Sequence, residues 1–198
     1  MGRIGLFGGT FDPPHKGHIE LAKKVLERFS LDKIIFIPAG NPPHKTNKKV
    51  TDKHFRYEMI KIATEDFPKF EVSDFDIENE KPNYSYITID YFKKYYKNDE
   101  IFFIIGADSF RDLPLWMNYK KLLTMCKFIV VSRPGIEKGD YYKKFAGDEK
   151  IPDVFFIDDI SYDLSSTGLR NDIRNDTAKE EDFPQGILKY IKKNELYR

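Results

Sequence analysis

Short apolar runs that alternate with amphipathic stretches are the feature of this sequence that most limits its fold. Several runs consist almost entirely of Ile, Val and Phe, among them IIFIP, IFFII and VFFI. Strands of this composition are typical of parallel sheets, in which helices cover both faces. The predicted strands are residues 3–7, 33–38, 70–75, 100–105, 127–132 and 154–157.

The segments between these runs predict helices. After the first run, Ile19, Ala22, Val25, Leu26 and Phe29 recur at the spacing of an amphipathic helix. Further helices are predicted at residues 52–65, 84–97, 165–175 and 185–194. No repeat, low-complexity linker or break in composition divides the chain. We therefore predict one domain over residues 1–198, a doubly wound, Rossmann-like α/β domain with a mostly parallel sheet.

Composition restricts the classes of function. The 198 residues include 33 basic and 32 acidic side chains, which gives a formal net charge of +1. Proteins that follow a nucleic-acid backbone usually carry a basic excess, so we expect no nucleic-acid partner. No apolar run approaches the roughly 20 residues that span a bilayer, and no secretory leader is recognisable. The single cysteine, Cys126, excludes an internal disulfide. These features predict a cytoplasmic protein without a membrane partner.

The segment GGTFDPPHKGH, Gly8 to His18, joins the first predicted strand to the first helix. Ligands of doubly wound sheets bind beyond the carboxyl ends of the strands. Paired glycines let the backbone approach a ligand closely, and the free N–H groups of a helix start attract phosphate. His15 and His18 are three residues apart, so both can donate hydrogen bonds to a phosphate bound there. A zinc pair, a helix cap and core histidines are the alternatives.

Other polar segments follow the remaining strands. AGNPPHK follows the second predicted strand, GADS the fourth and RPG the fifth. Near the end of the chain, the segment SSTGLR combines hydroxyl groups at a helix start with Arg170 one turn later, an arrangement that suits an anion. Taken alone, this segment is more typical of an ordinary helix cap.

Together, GGTFDPPHKGH and LSSTGLR resemble the two signatures of the nucleotidyltransferase superfamily with the HxGH motif, in the same order. The resemblance implies attack on the α-phosphate of a nucleoside triphosphate, with release of pyrophosphate. It implies two catalytic residues, His18 at the α-phosphate and His15 in a supporting phosphate contact. The implied ATP-binding residues are Gly8, Gly9, Thr10, Phe11, His15, His18, Gly106, Asp108, Ser166, Thr167 and Arg170.

Between the signatures, NPPHK, PNYSYIT, IGADS, LPLW and SRPG resemble segments of bacterial nicotinate-nucleotide adenylyltransferases. This resemblance implies adenylyl transfer from ATP to nicotinate mononucleotide, which gives deamido-NAD and pyrophosphate in NAD biosynthesis. It implies that Trp116 stacks on the pyridine ring and that Ser85 reaches the nicotinate carboxylate. The implied substrate-binding residues are Thr10, Asn41, Lys45, Ser85, Trp116 and Arg133. Three positions depart from the family pattern: Met117 stands where Tyr is common, Asn83 replaces the usual Ser, and Gly168 is unusual inside a first helical turn.

Several of these residues also have a purely structural interpretation. Core packing is the alternative for Trp116, and helix capping is the alternative for Ser85 and Asp108. Solvation at a loop tip is the alternative for Lys45 and Arg133.

The expected cofactor is Mg²⁺ carried with ATP, without a dedicated protein metal site. Three alternatives to the expected function stay open: a different acceptor, such as nicotinamide mononucleotide or phosphopantetheine, a cytidylyltransferase of the glycerol-phosphate type, and a non-catalytic nucleotide sensor. Assembly into a homo-oligomer is also left open.

Overall fold

Six parallel strands form the centre of the protein. The computed structural model describes residues 1–41, 50–79, 83–131, 153–158 and 164–198. Within these ranges the strands are β1 (Arg3–Gly9), β2 (Lys33–Pro38), β3 (Phe70–Val72), β4 (Glu100–Gly106), β5 (Lys127–Val131) and β6 (Val154–Ile157). Their order is β3-β2-β1-β4-β5-β6, and all neighbours are parallel. This order reverses direction between β1 and β4 and confirms the predicted doubly wound α/β fold.

Helices cover both faces of this sheet. They are α1 (Lys16–Arg28), α2 (Lys53–Thr64), α3 (Phe75–Glu78), α4 (Ser85–Tyr95), α5 (Ala107–Arg111), α6 (Tyr119–Leu123), α7 (Ser166–Arg174) and α8 (Ile187–Lys193). Neighbouring residues of a strand point to opposite faces, so Phe102 and Phe103 of β4 belong to two different buried clusters. The cluster around Phe102 contains residues of α1, α2, α7 and α8, and the cluster around Phe103 contains residues of α4, α5 and α6.

Most predicted elements are present, but several of their ends differ from the prediction. The strand predicted at 70–75 ends at Val72, because Phe75 begins α3 and stacks on Tyr91 of α4 with ring centroids 4.1 Å apart. The glycines assigned to the first loop, Gly8 and Gly9, still belong to β1 and pair with β2. Helix α1 begins at Lys16, so His18 lies within its first turn rather than at its start.

Parts of two predictions fall outside the described residues. Ser132, the predicted end of the fifth strand, is one of these positions. The assignment of residues 1–198 to one domain also stays a prediction, because 42–49, 80–82, 132–152 and 159–163 lie outside the described ranges. Within those ranges, no helix has the length and apolar character needed to cross a membrane.

Candidate active site

The loop between β1 and α1 brings two histidine rings together. The ring centroids of His15 and His18 are 3.7 Å apart, and the ring planes meet at 32°. The backbone N–H of His15 donates a hydrogen bond of 3.1 Å to Nδ1 of His18. A ring nitrogen that accepts a hydrogen bond carries no proton, so the neutral ring of His18 has its proton on Nε2. This contact prepares His18 as an Nε2–H donor.

Burial keeps both imidazoles neutral. It lowers the pKa of His15 to about 4. The pKa of His18 is well below its usual value, first because of burial and second because of the neighbouring His15. Nδ1 of His15 is buried and has no hydrogen-bond partner among the described residues. An anion bound beside these rings would raise both pKa values, because a negative charge stabilises the protonated form.

The ring of Phe11 lies beneath the histidines rather than in the ligand space. It is buried, meets the ring of His18 at 5.1 Å and the ring of Phe7 at 5.4 Å, both edge to face. Its φ of 49° places its backbone in the left-handed region. A Cβ added at Gly9 would lie 2.7 Å from the Phe11 ring, so a larger residue there would displace it. The predicted ATP contact of Phe11 therefore falls to its backbone.

The second signature lies directly against the first. Ser165 caps α7, where its Oγ accepts a hydrogen bond from the N–H of Gly168 at 3.1 Å. A Cβ at Gly168 would lie 3.2 Å from that oxygen, which explains a glycine in this first helical turn. The hydroxyl of Ser166 donates to the carbonyl oxygen of Pro13 at 2.9 Å. The structure therefore joins two segments that are about 150 residues apart in sequence.

Arg170 is held in a fixed orientation at this junction. Its guanidinium donates to the carbonyl oxygen of Asp12 at 2.6 Å and to Oγ1 of Thr167 at 3.2 Å. A cation is thus placed beside the histidine loop. We call the residues brought together here the cradle: His15, His18, Ser166, Thr167 and Arg170.

A buried arginine that the sequence patterns did not indicate supports the loops from below. Arg56 of α2 is only 1% exposed. Its guanidinium donates to the carbonyl oxygens of Thr51, Thr10 and Gly40 at 2.8, 2.9 and 3.0 Å. One side chain therefore holds the backbone after β1 and the backbone after β2. The sequence does not indicate this role, because the partners are backbone carbonyls and two of them, those of Thr10 and Gly40, are 46 and 16 positions away.

A cavity of about 360 Å³ opens beside the cradle, at the carboxyl ends of β1, β2 and β4. This is the edge at which a doubly wound sheet binds its ligands, next to the reversal of strand order between β1 and β4. The cavity is lined by many of the predicted site residues, namely Gly8, Gly9, Thr10, Asn41, Ser85, Asp108 and Trp116. The residues of the cradle are outside this lining, so the described site has two adjoining parts.

Three cavity residues, Trp116, Ser85 and Asp108, also have a place in the local structure. Trp116 is half-buried in the cavity wall, and its ring meets that of Phe103 at 6.5 Å. The N-cap of α4 is Tyr84 rather than Ser85, which is the first helical residue. Asp108 lies inside α5, whose N-cap is Gly106, and it pairs with Arg111. Neither Ser85 nor Asp108 is therefore the cap of its helix.

Gly106 is the exposed last residue of β4 and lies outside the cavity lining. A Cβ added there would meet nothing within 4 Å, so the backbone at this point faces open space. Lys45 and Arg133, the two predicted basic contacts, lie outside the described residues.

The cavity wall also contains a buried carboxyl group that the sequence patterns did not indicate. Asp76 of α3 is 9% exposed and accepts hydrogen bonds from Nδ2 of Asn83 at 2.6 Å and from the hydroxyl of Thr88 at 3.0 Å. Burial raises its pKa to about 6, although these two hydrogen bonds oppose the shift. The hydrogen bond to Asp76 gives Asn83 a structural role at a position where the family usually has Ser.

Close backbone packing fixes the other side of this wall. A Cβ added at Gly40 would lie 1.9 Å from the carbonyl oxygen of Asp76, so no other residue fits without moving α3. In the described ranges, no group of three or more His, Cys, Asp or Glu side chains is arranged to hold a metal ion.

The fold and the two-part site define a nucleotidyltransferase. A family model described as cytidylyltransferase-like matches residues 6–172. The nicotinate-nucleotide adenylyltransferase of Bacillus subtilis is 39% identical over 197 residues, which cover 100% of this chain and 99% of that protein. A Clostridium tetani protein named "Probable nicotinate-nucleotide adenylyltransferase" is 42% identical over 200 residues, with both chains fully covered. The chain belongs to the nicotinate-nucleotide adenylyltransferase family, as the motifs predicted.

A solved structure supports the fold independently. The Plasmodium falciparum nicotinic acid mononucleotide adenylyltransferase complexed with NaAD is 21% identical in sequence and matches with a TM-score of 0.80. The match covers 100% of this chain and 98% of that one.

Proposed function

We propose that this protein transfers the adenylyl group of ATP to nicotinate mononucleotide, with deamido-NAD and pyrophosphate as products. The observation that carries the proposal is the juxtaposition of the cradle and the cavity at the carboxyl edge of the sheet. The cradle offers donors to phosphoryl oxygens, and the cavity of about 360 Å³ offers an aromatic wall. The names of relatives such as the B. subtilis protein support this choice of acceptor.

The chemical step needs alignment more than proton transfer. A phosphate oxygen of the mononucleotide attacks the α-phosphorus of ATP, and the bond from that phosphorus to the β-phosphate oxygen breaks. The attacking phosphate is already an anion, so no general base is required. Catalysis then comes from in-line positioning and from donors directed at the oxygens on which charge develops.

The cradle residues have distinct roles in this proposal. His18 donates from Nε2 to the α-phosphoryl oxygens, and His15 makes a supporting phosphate contact. Arg170, whose guanidinium is oriented by Asp12, neutralises charge towards the departing pyrophosphate. The ATP-binding set is completed by Gly8, Gly9 and Thr10, by backbone groups of Phe11 and Gly106, by Asp108, and by the N–H groups of Ser166 and Thr167.

The acceptor occupies the cavity. Trp116 stacks on the pyridine ring, and Ser85 approaches the carboxylate of the nicotinate. Asn41 and Thr10 line the same space. Basic contacts to the acceptor phosphate fall to Lys45 and Arg133. Paired glycines at the end of β1 let the backbone come close to both substrates.

The metal in the proposal is Mg²⁺ carried with ATP, held mainly by phosphate oxygens and water. When bound, it neutralises charge on the phosphates. The exposed carboxylate of Asp108 lines the cavity and would face such an ion or the ribose hydroxyls. We also propose a cytoplasmic enzyme that acts on small nucleotides, with no nucleic-acid or membrane partner.

Pyrophosphate release tests this function directly. The protein is mixed with ATP, Mg²⁺ and one acceptor: nicotinate mononucleotide, nicotinamide mononucleotide or phosphopantetheine. We expect rapid release with the first acceptor, formation of deamido-NAD by chromatography, and much slower release with the other two. Preference for another acceptor would contradict the proposed substrate. ATP binding without release in any mixture would instead indicate a non-catalytic sensor.

A further inference from the structure

The segment that follows α8 reaches back to the loop that carries the histidines. There, the hydroxyl of Tyr197 donates a hydrogen bond of 2.6 Å to Oδ1 of Asp12. Asp12 lies three residues before His15 and is 5% exposed. The two partners are separated by 185 positions in sequence, so the contact exists only in the folded chain. No motif in the sequence points to it.

Asp12 is fixed by three separate elements. Its second carboxyl oxygen accepts a hydrogen bond from the backbone N–H of Thr51 at 3.2 Å. Its backbone carbonyl oxygen accepts the hydrogen bond from Arg170 at 2.6 Å. Arg56 holds the neighbouring carbonyl oxygens of Thr10 and Thr51. A movement of the Asp12 carboxyl group would therefore also move the carbonyl that orients the cation of the cradle.

The phenol of Tyr197 is suited to remain a donor. Burial, and then the charge of Asp12, raise the pKa of Tyr197 well above its usual range. The proton therefore stays on the phenol throughout the physiological pH range. A hydrogen bond from a neutral donor to a carboxylate is among the stronger ones in proteins, and its short length fits this class.

We propose that Tyr197 is a positioning residue for adenylyl transfer, because its hydroxyl holds Asp12 and thereby sets the loop of His15 and the guanidinium of Arg170. This inference rests on the proposed function. Tyr197 is absent from the lining of the cavity, so it acts through Asp12 and not on the acceptor. Small displacements of catalytic donors cost large factors in rate, and a single lost hydrogen bond can therefore be visible in turnover.

Tyr197→Phe removes the hydroxyl alone, and Tyr190→Phe is the matched control. Tyr190 lies in α8, and its ring meets that of Phe55, away from the histidine loop. We expect Tyr197→Phe to lower kcat about tenfold, the size expected for a hydrogen bond to a charged group. The KM values for both substrates should stay within about twofold, and the control should keep the wild-type kcat. Assays are run well below each Tm, with folding checked by circular dichroism.

A purely structural role makes a different prediction from positioning. If the hydrogen bond only stabilises the fold, Tyr197→Phe lowers Tm but retains the kcat of the wild-type protein. That result would overturn the inference. A matching rise in the KM for nicotinate mononucleotide would also overturn it, because the change would then lie in acceptor binding.

Asp12→Ala removes the acceptor of the same contact and serves if Tyr197→Phe does not fold. It should lower kcat in the same way. The kcat of the double variant should be no lower than that of the less active single variant, whereas multiplied losses would show that Tyr197 does not act through Asp12. Wild-type protein without pyrophosphate release would contradict the proposed function itself. An active wild type with an unchanged Tyr197→Phe contradicts only the positioning role.

Discussion

The cradle and the cavity share one edge of the sheet, but they are built in different ways. The cradle consists of one loop and one helix start, joined by hydrogen bonds of Arg170 and Ser166 to the backbone of that loop. The cavity collects residues from the ends of three strands and from the segments around them. At its rim, Leu115 is 79% exposed and Met117 is 51% exposed. The cradle is therefore held by hydrogen bonds between distant segments, whereas the cavity retains freely exposed positions.

The pKa shifts of buried groups also differ between the two parts. In the cradle, burial lowers the pKa of His15 to about 4 and favours the neutral ring. In the cavity wall, burial raises the pKa of Asp76 to about 6 and favours the neutral carboxyl group. The same physical cause therefore acts in opposite directions on pH dependence, because one group is a base and the other an acid.

The largest effect is expected in the cradle. His18→Ala should lower kcat by about 100- to 1,000-fold, as expected for the loss of one preorganised donor, and change the KM for either substrate little. The control is His54→Ala, because His54 is exposed on α2. Steady-state kinetics by pyrophosphate release measure both. Near-normal turnover of His18→Ala would remove the proposed distinction between a catalytic cradle and a binding cavity.

A smaller effect of the opposite kind is expected in the cavity. Trp116→Ala should raise the KM for nicotinate mononucleotide by about tenfold, because stacking of a ring on an aromatic side chain contributes about 1–3 kcal/mol. The KM for ATP should stay nearly unchanged. Tyr95→Ala is the control and should resemble the wild type, because Tyr95 is an exposed aromatic residue outside the cavity lining. Equal increases for both substrates would contradict stacking on the pyridine ring.

The smallest effect on turnover is expected at Asp76, where the change concerns the free energy of unfolding instead. Asp76→Asn replaces a buried carboxylate at neutral pH by a neutral side chain that still accepts hydrogen bonds. The pKa of the carboxyl group is 3.8 in model compounds and about 6 in the fold, so ionisation opposes folding increasingly between about pH 4 and pH 6. We expect the variant to gain about 3 kcal/mol relative to the wild type over that range, with no further gain above it.

Urea denaturation of both proteins at several pH values measures this difference. The two proteins differ only at position 76, so the difference isolates this carboxyl group. Lower stability of the variant at pH 7.5 would contradict this prediction. It would show that the hydrogen bonds from Asn83 and Thr88 stabilise the carboxylate by more than burial destabilises it.

The sequence was informative where the structure depends on local pattern. Continuous apolar runs located the strands, since burial on both faces requires them, and the spacing from Ile19 to Phe29 located α1. The ends were less certain because they depend on particular contacts. Phe75 has the apolar side chain typical of a strand residue. In the structure it is the first residue of α3, and its ring stacks on that of Tyr91.

The supports of the site were beyond sequence reasoning for a related reason. Arg56 and Tyr197 act through partners that are 5 to 185 positions away, and several of those partners are backbone carbonyls without a residue signature. The motifs contained the groups that we propose to face ligands, such as His18 and Trp116. They did not contain Arg56 or Tyr197, which hold the surrounding backbone and side chains in place.

The contact between Gly40 and α3 has a consequence for attempts to redesign the acceptor preference of this enzyme. Position 40 faces the cavity, so it is an obvious choice for a library, yet a methyl group there would collide with the carbonyl oxygen of Asp76. Leu115 and Met117 border the same cavity with their side chains largely in solvent. If the acceptor binds in this cavity as proposed, its recognition can be varied by substitutions at positions 115 and 117 but not at position 40.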